Sequence, residues 1–278
     1  MKVVEPGSPD WLKRAFDIEP YLETERFARL VEVVSSLDST NARAKILARE
    51  GASHGLAVVA FEQTAGRGQR GHTWFSPPGA GLYVSFVARP KLVPRMAPTL
   101  TLVAGLAARD ALAQFTEARL AIKWPNDVIV ASGPERGRKL AGILVEASAD
   151  NFKIDHAVLG FGANLFAVDY PSEITSRATS LEALGSRELS HARVLAALAD
   201  ELEARLDDAD SRGLEVAAKD WSRHALGRGE AVTVVAEDGE TRGILRGIAE
   251  DGALLLATAD GTKAIYRGQL AVDGVPPR

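Results

Sequence analysis

The sequence predicts an α+β fold in two parts, a mixed sheet with helices over residues 1–222 and a small β barrel over residues 223–278. Three observations predict it. Apolar runs of strand length, residues 56–61 and 82–87, share the first part with helix-length runs such as residues 98–115, where Leu102, Leu106, Ala107 and Leu112 recur at helical spacing. Near Ala225 the character changes to short β segments. Those segments are separated by Asp238-Gly239, Asp251-Gly252 and Asp260-Gly261, the dipeptides that favour tight hairpins.

Element by element, residues 18–30 read as a short helix in a polar lead-in and residues 31–35 as a strand. Ser39 or Thr40 then caps a helix over 41–50 that stops at Gly51. After the strand at 56–61 comes a glycine loop, then the strand at 82–87 and the helix at 98–115. Strand pieces at 120–124 and 128–130 flank a turn. Residues 131–138 form a Gly/Pro hairpin turn between 128–130 and a strand at 140–147, followed by another at 157–161. Residues 167–180 are loop, 191–210 a strong helix and 214–221 a shorter one. The barrel strands fall at 231–236, 241–248, 254–258 and 262–267.

A chain of 278 residues buries a full core without staples. It has no cysteine, which excludes disulfides, thiolate catalysis and Cys-based metal sites. The five histidines have no metal-ligand spacing. The apolar stretch around 100–108 is too short to span a bilayer, and no signal-like run opens the sequence, so the cytoplasm is expected and a membrane is not. A formal charge of -4 gives no field that favours DNA. Locally, residues 63–109 hold no acid but carry Arg67, Arg70, Arg89, Lys91, Arg95 and Arg109. This one-sided segment is either an anion-facing region or an accident of composition.

Gly66-Arg67-Gly68-Gln69-Arg70-Gly71 matches G-x-G-x-x-G after a strand. A dinucleotide fingerprint would have to open a helix and place an acid about 20 residues on. Here Pro77-Pro78-Gly79 follow, and the next acid is Asp110. A P-loop fails because His72 stands where its lysine belongs. Two readings survive: a loop whose backbone N–H groups and arginines take an anion, or a glycine-rich hairpin with solvated arginines. Lys123-Trp-Pro-Asn126-Asp127 is equally two-sided, either ordinary turn chemistry or oxygens offered to a cation or ribose. Lys139 enters a buried-type strand and either snorkels or serves a site. Gly142 in that strand suggests a group close to its backbone, and Gly160-Phe-Gly-Ala-Asn164 repeats the pattern.

Taken in order, Ser39-Thr40-Asn41, QTAGRGQRG at 63–71 with Trp74, KWPND at 123–127, RKLAGILVE at 138–146, GFGAN at 160–164 and Ala178-Thr-Ser-Leu181 resemble the biotin protein ligase family over residues 33–275. The resemblance implies a class II synthetase-like catalytic domain with a C-terminal SH3-like barrel. It implies ATP-dependent activation of biotin to biotinyl-5'-AMP with Mg²⁺, then transfer to a lysine of a biotin carboxyl carrier protein or domain of a carboxylase. It implies that Ser39, Thr40, Asn41, Gln63, Gly66, Arg67, Lys139, Gly142 and Leu144 bind biotin. Gln69, Arg70, Trp74, Lys123, Asn126, Asp127 and Asn164 then serve ATP, with Asp127 anchoring Mg²⁺, and Lys139, Arg67 and Asp127 are catalytic. Many members carry arginine where this chain has Gln69 and His72, so fewer cations would face the adenylate.

A lipoate ligase of the same superfamily is the nearest rival; KWPND and RKLAGILVE favour biotin. The expected form is monofunctional, because a DNA-reading repressor would need roughly 60 further residues before Val31. A mere vitamin-binding module would not need both Asp127 and Lys139. The resemblance leaves room for a homodimer.

Overall fold

The computed structural model describes residues 2–4 and 9–277. An eight-stranded mixed sheet is built from β1 (Lys2–Val4), β2 (Val31–Leu37), β3 (Ala57–Gln63), β4 (Gly81–Ala88), β5 (Leu120–Lys123), β6 (Asp127–Val130), β7 (Lys139–Ala149) and β8 (Ile154–Asn164) in the order β1-β2-β3-β4-β8-β7-β6-β5. The first three strands run parallel and the rest pair antiparallel. The helices are α1 (Asp10–Ala15), α2 (Thr40–Arg49), α3 (Thr99–Ala113), α4 (Ser172–Thr175), α5 (His191–Arg212) and α6 (Leu214–His224). A second, five-stranded antiparallel sheet has β9 (Ala231–Ala236), β10 (Gly239–Ile248), β11 (Leu254–Thr258), β12 (Gly261–Ile265) and β13 (Gln269–Val272) in the order β12-β11-β10-β9-β13. This is the α+β architecture the sequence predicts. Among the described residues no helix is long and apolar enough to cross a membrane.

Period-two alternation separates the two faces of the large sheet. Leu82, Val84 and Phe86 of β4 and Ala157, Leu159 and Phe161 of β8 face the main core with the apolar residues of α3 and α5. Val87 and Val158 face the other way and pack with Ala44 and Ala48 of α2 in a smaller cluster. Each large apolar side chain buried in this way contributes about 1.5–3 kcal/mol. Arg205 of α5 ties the helical layer together, donating to Asp110 of α3 at 2.5 Å and to Asp220 of α6 at 2.7 Å. α6 carries the connection onward. Its buried Ser222 accepts from the Ile248 N–H of β10 at 3.0 Å and donates to the Ala218 carbonyl at 2.7 Å.

Most expected elements lie within three residues of their predicted limits. One does not. Residues 18–30 hold only a single 3₁₀ turn, Glu19–Tyr21, and the lead-in helix is instead α1. The backbone N–H groups that a helix would use are taken by α5: Asp200 accepts from Glu23 and Thr24, and Glu203 from Glu25, Arg26 and Phe27. Of the acid-free segment, Arg67 and Arg70 sit in the glycine loop. Arg89 donates to the Ala48 and Ala52 carbonyls at the end of α2, and Arg109 pairs with Asp110. The segment is therefore not one cationic surface.

Candidate active site

The face of the sheet that holds α2 loses its large side chains beyond the end of the helix packing. On β8 the inward series runs Val158, Gly160, Gly162, Asn164, and Ser85 of β4 pairs with Gly160. These glycines are chosen for space. A Cβ on Gly160 would lie 1.9 Å from Asn41 Oδ1, one on Gly162 2.4 Å from the Trp74 ring, and one on Gly142 2.6 Å from Lys139 Nζ. Gly66 is needed behind the slot, where a Cβ would meet the Trp74 carbonyl at 2.5 Å and Ser76 Oγ at 2.6 Å.

The N-terminus of α2 enters this space. Its cap is not a Ser39 or Thr40 side-chain bond within the helix, because Ser39 makes none. Gln63 Oε1 at the end of β3 accepts from the Thr40 N–H at 2.9 Å, and Gln63 Nε2 donates to Ser76. Asn41 is buried. It donates to Glu146 at 2.9 Å and to the Leu144 carbonyl at 3.2 Å, and its Oδ1 accepts from Ser85 at 2.6 Å. Burial would push the Glu146 carboxyl up, but the hydrogen bonds from Lys45 and Asn41 and the charges of Lys45 and Arg67 outweigh it and hold it below the usual glutamate range. A slot of ≈ 30 Å³ results, lined by Ser39, Thr40, Asn41, Gln63, Arg67, Lys139, Gly142 and Leu144 together with Asn126, Trp74, Gly160 and Gly162.

The glycine loop is a hairpin and opens no α-helix. Arg67 bridges Thr73, Gly68 N–H donates to the His72 carbonyl at 2.7 Å, and Trp74 N–H donates to that of Gly66 at 2.9 Å. At its tip Arg70 holds a left-handed conformation with φ 55. The two arginines part there. Arg67 lines the slot, whereas Arg70 Nη2 donates to the carbonyl of Gly268, just before β13, at 2.9 Å.

Beside the slot lies a larger cavity of ≈ 360 Å³. Lys123, Asp127, Lys139 and Arg177 bring charge to it, and Phe75, Ile129, Tyr170, Ile174, Val275 and Pro276 bring apolar surface. Burial pushes the Tyr170 hydroxyl up to about 12, so it stays protonated. Trp74 and Lys139 line both spaces. Lys139 Nζ lies 2.8 Å from Asp127 Oδ1 and 4.7 Å from the Trp74 ring centre. The Trp74 indole N–H is buried and has no hydrogen-bond partner among the described residues. The backbone of Lys139 is braced by the segment 177–179: its N–H donates to the Arg177 carbonyl at 2.7 Å, and its carbonyl accepts from Thr179 at 3.0 Å. Asn164 Nδ2 donates to the Thr179 carbonyl at 2.9 Å and so locks that brace.

The predicted residues are therefore distributed unevenly. Those expected for biotin line the slot, with Gly66 directly behind it. Of those expected for ATP, Trp74, Lys123, Asp127 and Asn164 line the larger cavity. Asn126 turns to the slot side, donating to the Ile143 carbonyl at 2.8 Å. Gln69 and Arg70 line a small crevice against Gly268 and Leu270. Sequence reasoning missed Ser85, Glu146, Tyr170, Arg177 and residues 275–277. A serine in the apolar run LYVSFVA and a glutamate closing RKLAGILVE were legible hints, since a buried polar group needs a partner.

With charge-bearing Lys139 at their junction, the two spaces suit the joining of two anionic ligands. The chain matches the model of the biotin/lipoate A/B protein ligase family over residues 33–164 and that of the biotin protein ligase C-terminal domain over 228–269. It is 32% identical over 251 residues to the bifunctional ligase/repressor BirA of Bacillus subtilis, covering 90% of this chain and 76% of that one. To the biotin–[acetyl-CoA-carboxylase] ligase of Paracoccus denitrificans it is 34% identical over 249 residues, covering 87% of this chain and 100% of that protein. Among solved structures, the biotin protein ligase from Aquifex aeolicus in complex with biotin and ATP aligns with a TM-score of 0.73 and 32% identity, over 87% of this chain and 98% of that chain.

Proposed function

Since the chain belongs to the biotin/lipoate A/B protein ligase family, we propose that it is a biotin protein ligase whose slot takes biotin and whose larger cavity takes ATP. The observation that carries this reading is the position of Lys139, which lines both spaces and faces Asp127 at 2.8 Å. In the first step a carboxylate oxygen of biotin attacks the α-phosphorus of ATP, and the bond to the bridging oxygen breaks to release pyrophosphate. Two anions must meet. Lys139 and Arg67 offset their repulsion and stabilise charge on the transferring group. No protein nucleophile is required, in keeping with a chain that has no cysteine. In the second step the neutral amine of a carrier lysine attacks the acyl carbon of the mixed anhydride, and AMP leaves.

Asn41, Thr40, Gln63 and the glycines of β7 and β8 position the biotin ring system. The apolar wall with Trp74 holds the base, and Lys123 and Asn164 sit toward the nucleotide. Mg²⁺ enters with ATP as the substrate complex and lowers the charge on its phosphates. Asp127, which lines the larger cavity, would hold the ion there. Gln69 and Arg70 act through the loop's position against the second sheet. The domain division falls at 222/223, in the last turn of α6. The carrier is a biotin carboxyl carrier protein or domain, the enzyme works in the cytoplasm where ATP is supplied, and the reading is compatible with a homodimer.

The slot is narrow, ≈ 30 Å³, with the Trp74 indole seated over Gly142 and Gly162. The test is transfer: purified protein, biotin and MgATP should add one biotinyl group to a carboxyl carrier domain, as read by intact mass. Addition with lipoate in place of biotin, or none with either acid, contradicts the assignment.

A further inference from the structure

Lys123 ends β5 inside the larger cavity, and its ammonium donates to the carbonyl of Pro276 at 2.5 Å, from 153 residues away in sequence. The segment that supplies this carbonyl is fixed at its start. Val275 exchanges backbone hydrogen bonds with Val272 at 3.0 and 2.7 Å. Its side chain fills the space above Gly137, where a Cβ would lie 2.7 Å from it. Arg136 adds a bond to the Asp273 carbonyl at 2.8 Å. Pro276 and Pro277 have no N–H and a fixed φ, so they cannot continue a strand and have little freedom to lose on folding. What they present is an apolar ring surface and a carbonyl free of strand pairing. Val275, Pro276 and Pro277 all line the cavity, with Tyr170 and Ile174.

We propose that residues 275–277 are a positioning element for the nucleotide: the 276 carbonyl sets the Lys123 ammonium, and the proline rings form a wall of the compartment that takes the planar base. This rests on the reading that ATP occupies the larger cavity. The contribution comes from the segment that follows β13, so the nucleotide compartment is incomplete without it, whereas the slot is lined by residues 39–162 alone.

The experiment compares the full chain with a variant lacking residues 276–278, which keeps the Val275–Val272 pairing. KM for ATP and kcat are measured by pyrophosphate exchange, Kd for biotin by calorimetry, and folding by thermal melting. The truncated variant should raise KM for ATP about tenfold, the effect of one lost charge-assisted hydrogen bond, with Kd for biotin within about twofold. Pro277→Asp, which leaves every backbone bond in place and puts a negative charge on the wall, should raise KM for ATP several-fold. An unchanged KM for ATP in both the truncated and the Pro277→Asp variants overturns the proposal, as does an equal loss of biotin affinity, which would mark a general structural role. A full chain that exchanges no pyrophosphate at all would instead defeat the assignment of ATP to this cavity.

Discussion

At the scale of single residues, Lys139 carries the chemistry. Its side chain is largely buried, paired with Asp127 and set against Trp74. Removing a charge-assisted contact costs about 1.5–3 kcal/mol, and each 1.4 kcal/mol is about tenfold in rate. Lys139→Ala should therefore slow adenylation at least about tenfold. It also takes a cation from the buried Asp127, so stability should fall. Adding Asp127→Asn should restore the unfolding midpoint without restoring adenylation. Recovery of both would mean that Lys139 acts only through folding. The sequence named Lys139, Asp127 and the slot-lining residues because their spacing matched an ordered family pattern. It gave Arg67 to biotin and Arg70 to ATP, but held no sign that Arg70 would line the crevice at Gly268 and not the larger cavity. The two differ by three positions in a hairpin, and a left-handed residue at the tip sends the second one to Gly268.

At the scale of elements, α2 is aimed by partners outside itself: Gln63, Ser85 and Glu146 hold its first turn, and Lys45 binds Glu146 at 2.6 Å. Because the Glu146 carboxyl is held below its ordinary value, its contribution is full above the unfolded glutamate pKa of about 4.3 and is lost as pH falls through the depressed value. The unfolding midpoint of Glu146→Gln should lie below that of the wild-type chain at neutral pH, and the gap should close on acidification below about pH 4. A gap independent of pH would show that the carboxylate charge is not what holds the helix. Strands and helices with clear periodicity were legible in the sequence. β1 and β13 were not, since three and four residues are too few to establish a period. Residues 18–30 misled because their hydrogen bonds go to carboxylates of α5 about 176 residues away.

At the scale of the whole molecule, the two sheets meet at the candidate site. α6 packs on β10, Arg70 reaches Gly268, and residues 275–277 wall the larger cavity. None of these contacts has a local sequence signature, because each joins segments far apart in the chain. The central claim is that two adjoining spaces, joined at Lys139, make one mixed anhydride. The most direct measurement is to incubate the protein with biotin and MgATP, with no carrier present, and identify the bound small molecule by mass spectrometry after removing free ligand. The account predicts biotinyl-5'-AMP with stoichiometric pyrophosphate, and no adenylate when lipoate replaces biotin. Release of ADP and phosphate, or bound biotin with no adenylate, would contradict it.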